Sequence, residues 1–299
     1  MVPHPVGEPE MTSHPGTSSA LCWARGALRP LTEFRPHLGD RAFRYGDGVF
    51  ATMALERGCL LDADAHVNRL VASADVTKLS VPEAVRSSRR LCEILRLLGA
   101  DRTTDGVVRI QVSADSGGRG YGRARDSSWE LVEIHPLPAP RVLTVAVLQA
   151  DETPVPALPS VKSCSALAHV LCSRAAAGRG VAEAVRTLGE LLLEASASNL
   201  FWEIDGVLFT PSSSLPVYPG VTRSVVIEVA RRAGWTIHEG EFDRSALGRA
   251  RSAFLTNAVR GVEPVAELDG AGLEWPPALE ALRASVQAAR IEGGTPVAL

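Results

Sequence analysis

Apolar positions along this chain alternate between two periods, and the changes of period mark off its strands and helices. Cys22 to Leu28 reads as a short strand turning at Gly26. The triplet Gly46-Asp47-Gly48 forces a tight turn ahead of an apolar strand that opens on Val49-Phe50-Ala51-Thr52-Met53 and breaks at Gly58. From Asp62 to Leu79, Val67, Leu70, Val71 and Ala74 fall at helical spacing behind acidic residues. This predicts an amphipathic helix on which His66 and Arg69 stand one turn apart. A second helix is expected over Pro82 to Leu98. After Asp105-Gly106, the alternation of Val108, Ile110 and Val112 predicts a half-buried strand, and two more are expected at Trp129 to Ile134 and Val142 to Leu148.

The second half repeats the mixture. A helix is expected from Ala166 to Gly178 and a short strand at Leu191 to Glu194. Asn199 to Ile204 and Val207 to Thr210 flank Asp205-Gly206, a pair suited to a two-residue hairpin turn. A helix follows Pro219-Gly220 and stops by Gly234, a strand covers Ala253 to Thr256, and an amphipathic helix runs from Pro277 to about Arg290. Strands and helices interleave without a repeat, so the class is α+β, with α/β left open by the pattern alone. Proline-rich His135 to Arg141 reads as an interdomain segment, and a second such passage, Thr153 to Pro159, leads to Lys162. We therefore expect a leader at 1–20, a small first domain at 21–138, a linker at 139–147, a second domain at 148–292 and a tail at 293–299.

Composition narrows the function classes. At 299 residues, 45% hydrophobic and 22% charged, the chain suits a globular protein of two modest domains. A net charge of −3 argues against a nucleic-acid surface, and no apolar run is long enough for a membrane helix. The first twenty residues lack an apolar stretch and read as a disordered leader. Five cysteines, odd in number and without metal-ligand spacing, point to reduced thiols in a cytoplasmic protein.

Lysine usage singles out one position. Only Lys78 and Lys162 occur among 31 basic residues. An amine can lose its proton in a desolvated site and attack a carbonyl, which a guanidinium cannot do. Downstream lie Glu194, followed by the small residues Ala195-Ser196-Ala197-Ser198, and Gly220-Val221-Thr222-Arg223, which opens a helix with its amide N–H groups free. Thr256-Asn257 ends a strand. Each has a plain alternative: a solvated turn carboxylate, a hydrated helix start, an ordinary turn. Together, an amine nucleophile, a carboxylate and a phosphate-ready helix start match the needs of pyridoxal phosphate.

The ordered blocks Tyr45-Gly46-Asp47-Gly48-Val49-Phe50, His66-Val67-Asn68-Arg69-Leu70, Lys162, Glu194 through Phe201, and Pro219 through Arg223 resemble the class IV aminotransferase family. These fold-type IV pyridoxal phosphate enzymes include branched-chain and D-amino acid aminotransferases and aminodeoxychorismate lyase. The resemblance implies a two-domain α+β fold, with a small N-terminal domain and a larger barrel-like domain, assembled as a homodimer. It implies that Lys162 is the Schiff-base lysine, Glu194 the partner of the pyridine nitrogen and Arg69 a phosphate ligand. Val221, Thr222, Thr256 and Asn257 would complete the phosphate cup, and Lys78 would be a surface residue.

Two stretches are similar to the lyases: Ser116-Gly117-Gly118-Arg119-Gly120-Tyr121 and Asn199-Leu200-Phe201-Trp202. By this resemblance Arg119, Tyr121 and Tyr45 are substrate-binding candidates, Arg119 as a bidentate grip on a carboxylate. The alternative is that the glycines build a mobile loop with Arg119 solvated. The chain lacks the tyrosine that branched-chain aminotransferases place five residues after their lysine, and also the His and Asn that some lyases carry just after theirs. The expected activity is release of pyruvate from 4-amino-4-deoxychorismate to form 4-aminobenzoate. A keto-acid-dependent aminotransferase and a non-catalytic cofactor-binding homologue are the alternatives.

Overall fold

A computed structural model describes residues 21–115, 120–122, 127–148 and 152–297. The first half forms β1 (Leu21–Ala24), β2 (Ala27–Pro30), α1 (Arg41–Tyr45), β3 (Gly48–Glu56), β4 (Cys59–Leu60), α2 (Ala63–Val76), α3 (Ser88–Leu97), β5 (Gly106–Ala114) and β6 (Ser128–His135). Then follow β7 (Leu143–Val147), α4 (Leu167–Gly178), β8 (Glu183–Leu188), β9 (Leu191–Ala195), β10 (Asn199–Ile204), β11 (Val207–Pro211) and α5 (Val221–Arg232). The chain ends with β12 (Thr236–Gly240), β13 (Ser252–Asn257), β14 (Gly261–Leu268), β15 (Ala271–Gly272), α6 (Pro277–Glu292) and β16 (Thr295–Pro296).

Two sheets result. The first has the order β16-β4-β3-β5-β6-β1-β2, all antiparallel, with α2 and α3 contributing to its core. The apolar stripe foreseen on α2 does this work: Val67, Leu70 and Ala74 are buried with Met53, Leu55 and Val108. Truncating a leucine so placed costs about 2–5 kcal/mol. The second sheet runs β12-β11-β10-β13-β14-β7-β8-β9 with β15 on its margin, parallel at β12–β11 and at β14–β7–β8. Phe201 and Phe254, stacked at 4.9 Å, pack its surface against α5 and α6. At the β10–β11 hairpin, Asp205 and Gly206 both have positive φ, 51° and 81°, as a twisted two-residue turn requires.

Several boundaries differ from expectation. Residues 143–147, drawn inside the linker, are β7, a parallel strand hydrogen-bonded on both sides within the second sheet. Residues 295–296, drawn in a tail, are β16 on the edge of the first sheet, where Val297 is buried in the core and its N–H donates to Gly58 O at 2.8 Å. The chain thus closes its first sheet with its last strand. Asp40 to Tyr45, without an expected element, makes α1, whose N-cap Asp40 accepts from Phe43 N. The leader at 1–20 lies outside the described residues.

Candidate active site

The two sheets flank a cleft of about 750 Å³ lined from both sides, by Tyr45, Phe50 and Thr52 near β3 and by Glu194, Ser196 and Asn199 of the second sheet. Lys162 enters it because its backbone is tied to β3. Lys162 O accepts from Phe50 N at 2.9 Å, Cys164 N donates to Gly48 O at 2.8 Å, and Ser163 bridges Val49. The turn before β3 must be glycine for this approach. Gly46 has φ 68°, and a Cβ there would overlap Ser165 Oγ and come within 2.9 Å of its backbone.

The Lys162 side chain is half-buried, with Nζ 5.0 Å from the Phe50 ring centroid and 4.9 Å from that of Tyr218. Burial between these faces holds its ammonium below the ordinary lysine range. Glu194 works against the shift, and Arg109 adds to it. Glu194 on β9 is buried; Arg186 Nη2 donates to its Oε1 at 3.1 Å and Asn199 Nδ2 to its Oε2 at 2.9 Å. Burial pushes this carboxyl up to about 7 against the pull of Arg186, the Tyr218 backbone, Lys162 and Arg223. Strongly shifted groups facing one cleft are a mark of a working site.

The sequence candidates divide. Lys162, Glu194, Val221, Thr222, Thr256, Asn257 and Tyr45 all line the cleft. Arg69, half-buried on α2, meets α5 from outside the lining: its Nη2 donates to Ser224 Oγ at 3.1 Å and its guanidinium lies 5.9 Å from the Tyr218 ring. The side chain of Asn257 is committed to structure. Its Oδ1 accepts from Val259 N and Arg260 N, and its Nδ2 donates to Ser198 Oγ at 3.0 Å. Tyr121 is 88% exposed, with its ring 5.6 Å from that of Tyr45. Arg119 lies outside the described residues. Lys78 is exposed beyond α2.

The residues present suit pyridoxal phosphate on an observation independent of the motifs. Among the described residues, four buried polar atoms on α2, α5 and β13 have no hydrogen-bond partner: Arg69 Nη1, Thr222 Oγ1, Thr256 Oγ1 and His66 Nε2. Buried polar atoms are nearly always paired. α5 begins at Gly220, which supplies no side-chain cap to the free N–H groups of the first turn, where Thr222 stands. Unpaired donors at a helix N-terminus fit a phosphate.

Sequence reading missed four contributors. Tyr218 packs on Lys162 and accepts from Asn199 Nδ2 through its backbone oxygen at 2.8 Å. His66 is buried in the lining, where desolvation, then Arg290, Lys162 and Arg69, push its imidazole down to about 3. Arg186 and Arg290 are each 1% exposed. Nothing in the period of their segments marks an arginine as buried.

Comparison with known proteins bears on the same residues. The profile of the family described as amino-transferase class IV matches residues 48–268. D-alanine aminotransferase of Listeria monocytogenes serotype 4b (strain F2365) is 29% identical over 246 residues, 77% of this chain and 81% of that protein. Aminodeoxychorismate lyase of Vibrio harveyi is 27% identical over 254 residues, 82% of this chain and 90% of that protein. In fold, the chain is similar to the branched-chain amino acid aminotransferase from Thermobaculum terrenum in its PLP-form. The TM-score is 0.81 at 19% identity, covering 95% of this chain and 100% of that one. With the profile spanning most of the chain, including Lys162, Glu194 and Thr222, this protein belongs to the class IV aminotransferases, the pyridoxal phosphate-dependent enzymes of fold type IV.

Proposed function

We propose that this enzyme is a 4-amino-4-deoxychorismate lyase that releases pyruvate and forms 4-aminobenzoate. The observation that carries the lyase reading is the position of the segment Gly120–Gly122, which begins with the last two residues of the glycine-rich stretch similar to the lyases. Arg41, buried on α1, donates to the carbonyl oxygens of Gly120 at 3.0 Å, Tyr121 at 2.8 Å and Gly122 at 3.3 Å, and its Nε pairs with Asp47 at 2.7 Å. This docks the segment beside Tyr45, a cleft residue. Arg109 on β5, outside the lining, adds positive charge behind it, its guanidinium 4.2 Å from the ring of Phe50, a cleft residue.

Pyridoxal phosphate, when bound, supplies an aldehyde for the substrate amine and a ring that accepts electrons. Arg69, Thr222, Thr256 and the backbone N–H groups of Val221 and Thr222 would hold its phosphate. Lys162 would anchor it and, once displaced by the substrate amine, would act as general base, Nζ taking the proton from the substrate ring carbon that bears the amine. Burial of that amine favours its neutral form. Loss of the C–O bond to the enolpyruvyl group makes the ring aromatic, and a proton returned to the departing fragment completes pyruvate. Glu194 would keep a proton at the ring nitrogen, and Pro156 and Pro159 line the cleft beside it.

A second reading, transamination of an amino acid, is favoured by the similarity to D-alanine aminotransferase. The same lysine would return its proton to the cofactor side. Purified enzyme offered 4-amino-4-deoxychorismate without a keto acid separates the two. Stoichiometric pyruvate and 4-aminobenzoate are expected; turnover that requires an added keto acid assigns the chain to transamination. We propose further that it acts as a homodimer.

A further inference from the structure

The strongest buried cation acting on Glu194 belongs to a residue that the reaction above does not use. Arg186 lies on β8, 1% exposed, and its Nη2 reaches Glu194 Oε1 at 3.1 Å. Its Nε and Nη1 are buried without a hydrogen-bond partner among the described residues. Asn199 Nδ2 occupies the other carboxylate oxygen. The other charges that act on Glu194 are Lys162 and Arg223, both weaker than Arg186. On its far side Arg186 faces α4, where His169 and Cys172 feel its charge together with that of Glu183 at Cys172. A desolvated guanidinium with two unpaired nitrogens is costly to keep in an interior. Its position against one carboxylate gives it a use.

A proton between a buried carboxylate and a ring nitrogen can rest on either. Placing it on the ring leaves two opposite charges, and placing it on the carboxylate leaves none. In a water-poor interior desolvation favours the uncharged arrangement. A fixed cation in contact with the carboxylate opposes this, because it stabilises the near negative charge more than it disfavours the more distant positive one.

We infer that Arg186 is a positioning residue that keeps Glu194 ionised, so that the shared proton stays on the cofactor's ring nitrogen. The inference rests on the reading of Glu194 as the partner of that nitrogen. It makes Arg186, through Glu194, a determinant of how strongly the ring draws electrons, without contact to substrate or cofactor.

The test uses holoenzyme loaded with pyridoxal phosphate carrying 15N in its ring, with 15N NMR reporting ring protonation in wild type, Arg186→Gln, Arg186→Lys and Glu194→Gln. Gln keeps a hydrogen bond without charge, and Lys keeps the charge. A protonated ring nitrogen in wild type and Arg186→Lys, but an unprotonated one in Arg186→Gln, is expected. In the apoprotein the infrared carboxyl band of Glu194, identified by its loss in Glu194→Gln, should titrate roughly one to three pH units higher in Arg186→Gln, the range commanded by an adjacent opposite charge. A ring nitrogen as protonated in Arg186→Gln as in wild type overturns the role of Arg186 and leaves Glu194 as partner. A ring nitrogen indifferent to Glu194→Gln removes Glu194 as partner and the inference with it. Should Arg186→Gln fail to fold, Arg186→Leu is read in the same way.

Discussion

Replacing Arg290 by methionine breaks a buried ion pair that ties the end of α6 to both walls of the phosphate region. Arg290 Nε donates to Asp62 Oδ2 at 2.7 Å and Nη2 to Ala258 O at 2.6 Å. Asp62 occupies the N-cap position of α2, the helix of His66 and Arg69, in a left-handed conformation with φ 52°. Ala258 follows Thr256-Asn257. The substitution preserves most of the apolar volume and strands the Asp62 carboxylate, whose side chain is 9% exposed. Removing one partner of such a pair costs about 3–5 kcal/mol. At the ~2 °C per kcal/mol expected of a large domain, Tm falls by about 6–10 °C. Thermal and urea unfolding of the apoprotein measure this. Because the damage is the stranded carboxylate, Asp62→Asn combined with Arg290→Met should lose clearly less than the sum of the single losses. A loss below about 1 kcal/mol for Arg290→Met, or strict additivity in the double variant, would refute the reasoning.

Two further outcomes follow from the cup. Thr222→Val and Thr256→Val each remove a buried hydroxyl without a protein partner, so apoprotein stability should hold or rise, while cofactor titration shows affinity weakened by about 1.5–3 kcal/mol, as for a lost hydrogen bond to a charged group. His66 has its folded pKa depressed, from an ordinary 6.5 to about 3. Its neutral burial therefore contributes fully above pH 6.5, and the contribution is lost as pH falls through the window between those values, by about 1.4 kcal/mol per pH unit. The drop in urea midpoint from pH 7 to pH 5 should accordingly shrink in His66→Gln, and an unchanged drop would contradict that burial.

The fold was legible where local chemistry and tertiary position agree. Asp205-Gly206 requires positive φ at both turn residues wherever the hairpin sits, and α2 carries its buried stripe in its own spacing. It was illegible where distant contacts decide. Glu183–Leu188 buries Glu183, Arg186 and Thr187, a polar pattern that makes a strand only because its partners bring Glu194 and Arg141 to it. Thr236–Gly240 is largely exposed and pairs as a parallel edge beside β11, leaving no alternation to read. The two-residue β16 is defined by its partner Cys59–Leu60 alone.

The site divides on the same line. Lys162 stood out because lysine is rare in this chain, Thr222 because it follows a glycine at a helix start, and Thr256 because it ends a strand. Tyr218 follows proline and valine in a segment without periodicity, and only the packing of α5 against the cleft brings its ring to Lys162. Asn257 carried a phosphate-ligand expectation from the resemblance, yet its side chain builds the turn at 258–260. A residue type at a motif position does not say which way its hydrogen bonds are spent.

The central claim is that Lys162 is the amine that carries the cofactor. Borohydride reduction of the holoenzyme followed by peptide mass spectrometry tests it directly. A phosphopyridoxyl group on the peptide containing Lys162, absent in Lys162→Ala, is the result expected. The group on Lys78, or on neither lysine in a protein that binds pyridoxal phosphate, would contradict it.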